Sequence, residues 1–110
     1  MRPIKLFLDD LRTPPTDDFL LARNESEFIL AMYKNPLGFE EIWFDNDLGV
    51  GNGSGNRCLE HLIDECEHAE FPHPKRIVIH TMNPVENRAM MQRAKTYFTE
   101  VTKVERATFQ

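Results

Sequence analysis

Ile4-Lys5-Leu6-Phe7-Leu8-Asp9-Asp10 is a short, mostly apolar run that two carboxylates stop abruptly. A run of this length with a polar end reads as a buried strand, because a helix needs a longer stretch with a 3.6-residue period. The pattern recurs. Glu41-Ile42-Trp43-Phe44 stops at Asp45, and the β-branched Arg76-Ile77-Val78-Ile79 stops at His80. Phe19-Leu20-Leu21-Ala22-Arg23 reads as a further strand after a loop, Leu11 to Asp18, that contains Pro14-Pro15. The tail from Val101 to Gln110 supplies the fifth.

Helical periodicity fills the gaps between these runs. Asn24 can cap a helix, with Glu27 three residues on as in a capping box. That helix carries Phe28, Ile29, Met32 and Tyr33 on one face and ends at Asn35-Pro36. Cys58, Leu59, Leu62, Ile63 and Cys66 make the apolar stripe of a second helix, closed by Pro72 and Pro74. Asn83 caps a third, with Pro84 at its first position and Met90, Met91, Ala94, Tyr97 and Phe98 on its apolar face. The order β-β-α-β-α-β-α-β predicts one α/β domain over residues 1–110, with a largely parallel five-stranded sheet and helices on both faces. The connection between the first two strands is too short for a full crossover helix.

Composition bounds the function. A chain of 110 residues with 41% apolar side chains can bury a core without disulfides or a structural metal. A net charge of −5 argues against binding duplex DNA through bulk positive charge. No apolar run reaches the roughly 18 residues of a membrane span, and the N-terminus lacks the pattern of a signal peptide. Cys58 and Cys66 lie about 12 Å apart along one helix, too far for a disulfide. The same spacing weakens a zinc site with His61 and His68, so reduced thiols and a cytoplasmic setting are expected.

In an open parallel sheet, ligands bind beyond the carboxyl ends of the strands. Asp9 and Asp10, Asp45 and Asp47, and His80 and Thr81 fall there, with Asn83 opening the next helix. Carboxylates gathered at one edge repel each other and call for a cation. Mg²⁺ or Mn²⁺ suits oxygen ligands from Asp9, Asp10 and Asp45. His80 has the ordinary pKa of a general acid or base, and Asp47 could orient it or a metal-bound water. Arg12, Thr81 and Asn83 are candidate phosphate contacts, the last through a helix N-terminus. Gly49-Val50-Gly51-Asn52-Gly53-Ser54-Gly55 matches neither a phosphate-binding P-loop nor a dinucleotide motif and reads as a mobile rim.

These motifs together resemble the cyclic-phosphate processing receiver-like domains, a divergent branch of the flavodoxin-like receivers. The residues that carry the resemblance are Leu8-Asp9-Asp10-Leu11-Arg12-Thr13-Pro14, Asp45-Asn46-Asp47-Leu48-Gly49 and His80-Thr81-Met82-Asn83-Pro84. Asn46 stands where the family usually has His, and Glu86 where it tends to have Gly. Against ordinary receivers, no Lys-Pro follows the final strand, and the first and last helices are reduced or absent. The resemblance implies binding or metal-assisted processing of a cyclic phosphate, on a small molecule or an RNA end. A non-catalytic sensor and a degenerate receiver that engages a protein partner are the alternatives.

Overall fold

The computed structural model describes residues 4–99 and 102–107. Strands β1 (Ile4–Leu8), β2 (Phe19–Ala22), β3 (Phe39–Phe44), β4 (Arg76–Ile79) and β5 (Lys103–Arg106) alternate with helices α1 (Glu25–Lys34), α2 (Gly55–His68) and α3 (Pro84–Tyr97). The strands form one sheet in the order β2-β1-β3-β4-β5, every pair parallel. This is the flavodoxin-like order. The expected last strand narrows to Lys103–Arg106, and the rest of its range lies largely outside the described residues.

The layering corrects one expectation. Among the described residues, all three helices lie on one face, not two. Phe28, Ala31 and Met32 of α1, Cys58, Leu59, Leu62 and Cys66 of α2, and Met90 and Ala94 of α3 share one core with Leu6, Leu8, Ile42, Phe44, Ile77 and Ile79. The reason is topological. Connections between parallel strands are right-handed, and β2→β3, β3→β4 and β4→β5 all step across the sheet in the same direction. Only β1→β2 steps the other way, and residues 9–18 form no helix there. The place of a last helix, after β5, lies outside the described residues.

That short return is held by side chains. Asp9 Oδ1 accepts the backbone N–H groups of Leu11 and Arg12, both at 2.9 Å. The Arg23 guanidinium donates to the carbonyls of Asp9 and Arg12, at 2.9 and 2.6 Å.

The helix-free face is closed differently. Phe7, Trp43 and Val78 form a small buried cluster against Phe19 and Ala107. Beside it, toward the amino ends of the strands, charges alternate across the sheet. Lys5 pairs with Asp18 (3.2 Å) and Glu41 (3.8 Å), Arg76 with Glu41 and Glu105 (3.1 Å each), and Lys103 with Glu105 (3.4 Å). The Arg76 guanidinium also lies 5.8 Å from the Trp43 ring centre.

The helix caps match the sequence reading. Asn24 Oδ1 accepts the Glu27 N–H, and Asn83 Oδ1 accepts those of Val85 and Glu86. On α1 the buried face is rotated from the expected one. Ala31 joins Phe28 and Met32, while Tyr33 is 83% exposed and Ile29 36% exposed. The thiols of Cys58 and Cys66 are free and buried, and burial raises their pKa to about 12 and about 11.

Candidate functional site

Register brings the chemistry together. Leu8 pairs with Phe44, and Phe44 with Ile79, so Asp9, Asp45 and His80 each step off the sheet at the same level. Backbone bonds extend the ladder by one rung: Asp45 N–H to the Leu8 carbonyl and His80 N–H to the Phe44 carbonyl, both at 2.9 Å. Asp9, Asp45 and His80 are all buried, and each offers a ligand atom within 4.8 Å of the others. The expected convergence on one sheet edge is present.

His80 lies behind the site, not on its wall. Its ring is fully buried, stacks on Phe7 at 4.9 Å with an interplanar angle of 7°, and sets Nε2 3.1 Å from Asp9 Oδ2. Burial pushes its pKa down to about 4, against the attraction of Asp9. A neutral imidazole facing a carboxylate donates through Nε2–H, so His80 holds Asp9 in place. Burial also disfavours ionisation of Asp9. The N–H groups of Arg12 and Leu11, with His80, nonetheless keep its pKa below the usual carboxylate value. Asp45 goes the other way. Burial and the charge of Asp9 push it up to about 6, although the Asn46 N–H and the Thr81 hydroxyl support its ionised form.

In front of these groups opens a cleft of about 370 Å³ lined by Asp9, Asp10, Leu11, Arg12, Asp45, Asp47, Gly49 and Met82. Five predicted site residues therefore share one wall: Asp9, Asp10, Arg12, Asp45 and Asp47. The oxygen-rich lining fits a hard divalent cation. Arg12 sets Nη1 3.6 Å from Asp9 Oδ2 and leaves its side chain about one-third exposed. The other three predicted residues serve from behind or beside the cleft. Thr81 is buried, and its Oγ1 accepts the Asn83 N–H at 3.2 Å. Asn83 spends its side-chain oxygen on two N–H groups of α3, donors that a bound anion would otherwise use.

The two departures from the family pattern meet in one chain of side-chain hydrogen bonds. Asn46 Nδ2 donates to Asp47 Oδ1 (3.3 Å), and Asn46 Oδ1 accepts the Asn56 N–H (3.0 Å). Asn56 Nδ2 then donates to Glu86 Oε1 (3.2 Å). This ties the residue beside Asp47 to the first turns of α2 and α3. The glycine loop is also tied down, not a free rim. Asp47 and Ser54 form an antiparallel bridge, and the Glu25 N–H donates to the Asn52 carbonyl at 3.0 Å. Sequence reading missed Arg23, Asn56 and Met82. For Arg23 a signal exists: the residue that follows β2 sits beside the residue that follows β1 once the two strands pair in parallel.

The model of the cyclic-phosphate processing receiver domain matches residues 4–96. No curated protein and no solved structure is similar enough to match. The matched span runs from the first strand into the last turn of the third helix and holds all three acid-bearing or His-bearing strand ends. The chain belongs to the cyclic-phosphate processing receiver domain family.

Proposed function

We propose that the cleft binds a cyclic phosphate through a divalent cation, Mg²⁺ or Mn²⁺, held by Asp9, Asp10 and Asp45. One observation carries this reading: four carboxylates and one guanidinium line a single cleft, and Asp45 is pushed up to about 6 by burial and the charge of Asp9. A cation held by these carboxylates would relieve that repulsion and would let a wall that otherwise repels anions accept one. When bound, the ion supplies charge neutralisation for phosphoryl oxygens. Arg12, on the same cleft wall, is the phosphate contact from the protein, and Leu11 and Met82, both exposed, offer apolar surface to the rest of the ligand.

Binding without turnover is the form of this function that the residues favour. His80, the imidazole at the strand ends, is fully buried, is held by Asp9 and has its pKa lowered to about 4. Asn46, an amide, stands where the family's second imidazole is usual. If the protein hydrolyses its ligand, Asp47 is the group on the cleft wall placed to take a proton from water. No helix among the described residues is long and apolar enough to cross a membrane.

The test uses adenosine 2′,3′-cyclic phosphate with and without Mg²⁺, followed by thermal melting and by ³¹P spectra of the nucleotide. A ligand at about 100 times its Kd stabilises the folded state by about 2.7 kcal/mol. In a domain of this size that is a rise of several degrees in Tm. Mg²⁺ alone should give a rise, and nucleotide should add to it only when Mg²⁺ is present. Asp10→Ala, at a half-buried position, should abolish both effects while leaving the metal-free Tm close to wild type. An unchanged Tm at saturating Mg²⁺ removes the proposal. Ring opening in the ³¹P spectra that depends on Asp47 establishes the hydrolase form over the sensor.

A further inference from the structure

The two edges of the sheet differ in a way the cleft does not explain. At one edge, β5 reads Lys103-Val104-Glu105-Arg106, and charged side chains of this kind guard an edge against pairing. At the other, β2 reads Phe19-Leu20-Leu21-Ala22, with no charge, proline or bulge. Leu20 and Leu21 are 40% and 42% exposed. They line a groove of about 430 Å³ together with Glu27, Leu30, Ala31 and Lys34 of α1. An unguarded apolar edge of this kind marks a place for another chain.

The pattern along α1 says which chain. Glu27, Leu30, Ala31 and Lys34 follow at i, i+3, i+4 and i+7, so they share one face of the helix. The order is acid, large apolar, small apolar, base. Turned end for end about a point between Leu30 and Ala31, the stripe complements itself. Glu27 meets Lys34 of the second copy, and the two half-exposed Leu30 side chains meet over the nearly buried Ala31 at the centre of the seam. The same two-fold axis, normal to the sheet and passing between Leu20 and Leu21, sets two β2 edges antiparallel. Two copies then share one sheet with their helices on the same side. A two-fold interface requires this self-complementarity.

We propose that the β2 edge and the Glu27–Lys34 stripe of α1 form the interface of a homodimer of this chain. The two clefts remain open in it, because β1 and β3 supply the cleft carboxylates while β2 supplies the interface.

The experiment is sedimentation equilibrium of the full chain from low micromolar upward, with the Tm of each variant recorded beside it. The wild type should show a reversible monomer–dimer equilibrium. Leu30 is about half exposed, so Leu30→Glu should leave the fold intact and raise the dissociation constant by about a hundredfold or more, because it buries a charge in the apolar centre of the seam. Glu27→Lys and Lys34→Glu should each raise it by about tenfold, since each places like charges opposite one another twice per dimer. The double variant Glu27→Lys with Lys34→Glu should return toward the wild-type value, although each swap opposes the α1 dipole and Glu27→Lys removes the carboxylate that accepts the Arg23 N–H at 2.8 Å. Its Tm reports that cost separately. A wild type that stays monomeric up to about 1 mM overturns the proposal, whatever else binds the groove. So does a dimer in which the single reversals change nothing or the double variant fails to recover. Mg²⁺ and cyclic-nucleotide binding by the Leu30→Glu monomer should match wild type, so a failed dimer and a failed ligand site are told apart.

Discussion

Asp45 and His80 carry opposite electrostatic costs over one pH range. Asp45 has a folded pKa of about 6, above its ordinary 3.8. Its cost to the native state is full above pH 6 and vanishes as pH falls toward 4. His80 has a folded pKa of about 4, below its ordinary 6.5. It costs nothing above pH 6.5, and its cost grows as pH falls toward 4, because the unfolded chain takes up a proton that the native state refuses. Each shift corresponds to stability on the order of 3 kcal/mol, so in metal-free wild type the two largely cancel. Asp45→Asn removes the first and uncovers the second. Urea unfolding of the variant in chelator should show stability falling steeply from pH 6.5 to 4, where wild type changes little. Equal slopes in the two proteins would show that one of the assigned shifts is absent. The sequence made the positions of these residues legible, since each follows an apolar run. It did not make their depth legible. Whether a residue just past a strand meets water depends on what covers that face, and His80 is covered by Phe7 and Asp9, distant in sequence.

Among the elements, the helix starts were readable and the glycine loop was only half readable. Asn24 and Asn83 are caps whose chemistry is local, so a single stretch of sequence suffices to find them. Gly55 is different. It opens α2 directly against the end of β3, and a Cβ there would lie 1.6 Å from the Asp45 carbonyl oxygen. Its N–H donates to the Asn46 carbonyl at 2.9 Å. The glycine is required for close approach, and nothing in the loop's composition separates that role from flexibility. Gly51 offers the contrast, with φ +80° and open space around its Cα. Gly51→Ala should cost about 1–2 kcal/mol, the price of a left-handed backbone for an L residue. Gly55→Ala should cost more than about 3 kcal/mol, because β3 and α2 must separate. Mg²⁺ binding should weaken with it, since the displaced carbonyl belongs to a proposed ligand residue. Urea midpoints of the two variants check this, and equal costs would mean that the α2 start yields freely.

At the scale of the molecule, a sheet with helices on one side needs another way to close its second side. The alternation of strands and helices predicted the parallel sheet and its class. It did not reveal the layering, because the face taken by a helix depends on the direction of each crossover, and that depends on strand order. The charge ladder was also hidden, since Lys5, Glu41, Arg76 and Glu105 become neighbours only once the register is set. Arg76 is its centre. It bridges Glu41 and Glu105 and covers Trp43, whose indole N–H also donates to Glu41 at 2.9 Å. Glu41 keeps only 13% of its side-chain surface exposed, so its charge depends on the protein for a partner. Arg76 is itself 39% exposed, and solvent screening lowers the worth of each pair. Two pairs, a cation–π contact and a nearly buried carboxylate together set the expected loss for Arg76→Ala at about 2 kcal/mol. Lys103, 75% exposed and paired only with Glu105 among the contacts above, is the control. Lys103→Ala should change stability by less than about 0.5 kcal/mol. Urea unfolding at low salt and at about 0.5 M NaCl, where the screening length is roughly 4 Å, separates the contributions. Added salt should shrink the Arg76 effect only in part, because the Trp43 contact and the buried carboxylate are shielded from it. If Arg76→Ala costs no more than Lys103→Ala, the ladder is decoration on a face held by Phe7, Trp43 and Val78 alone.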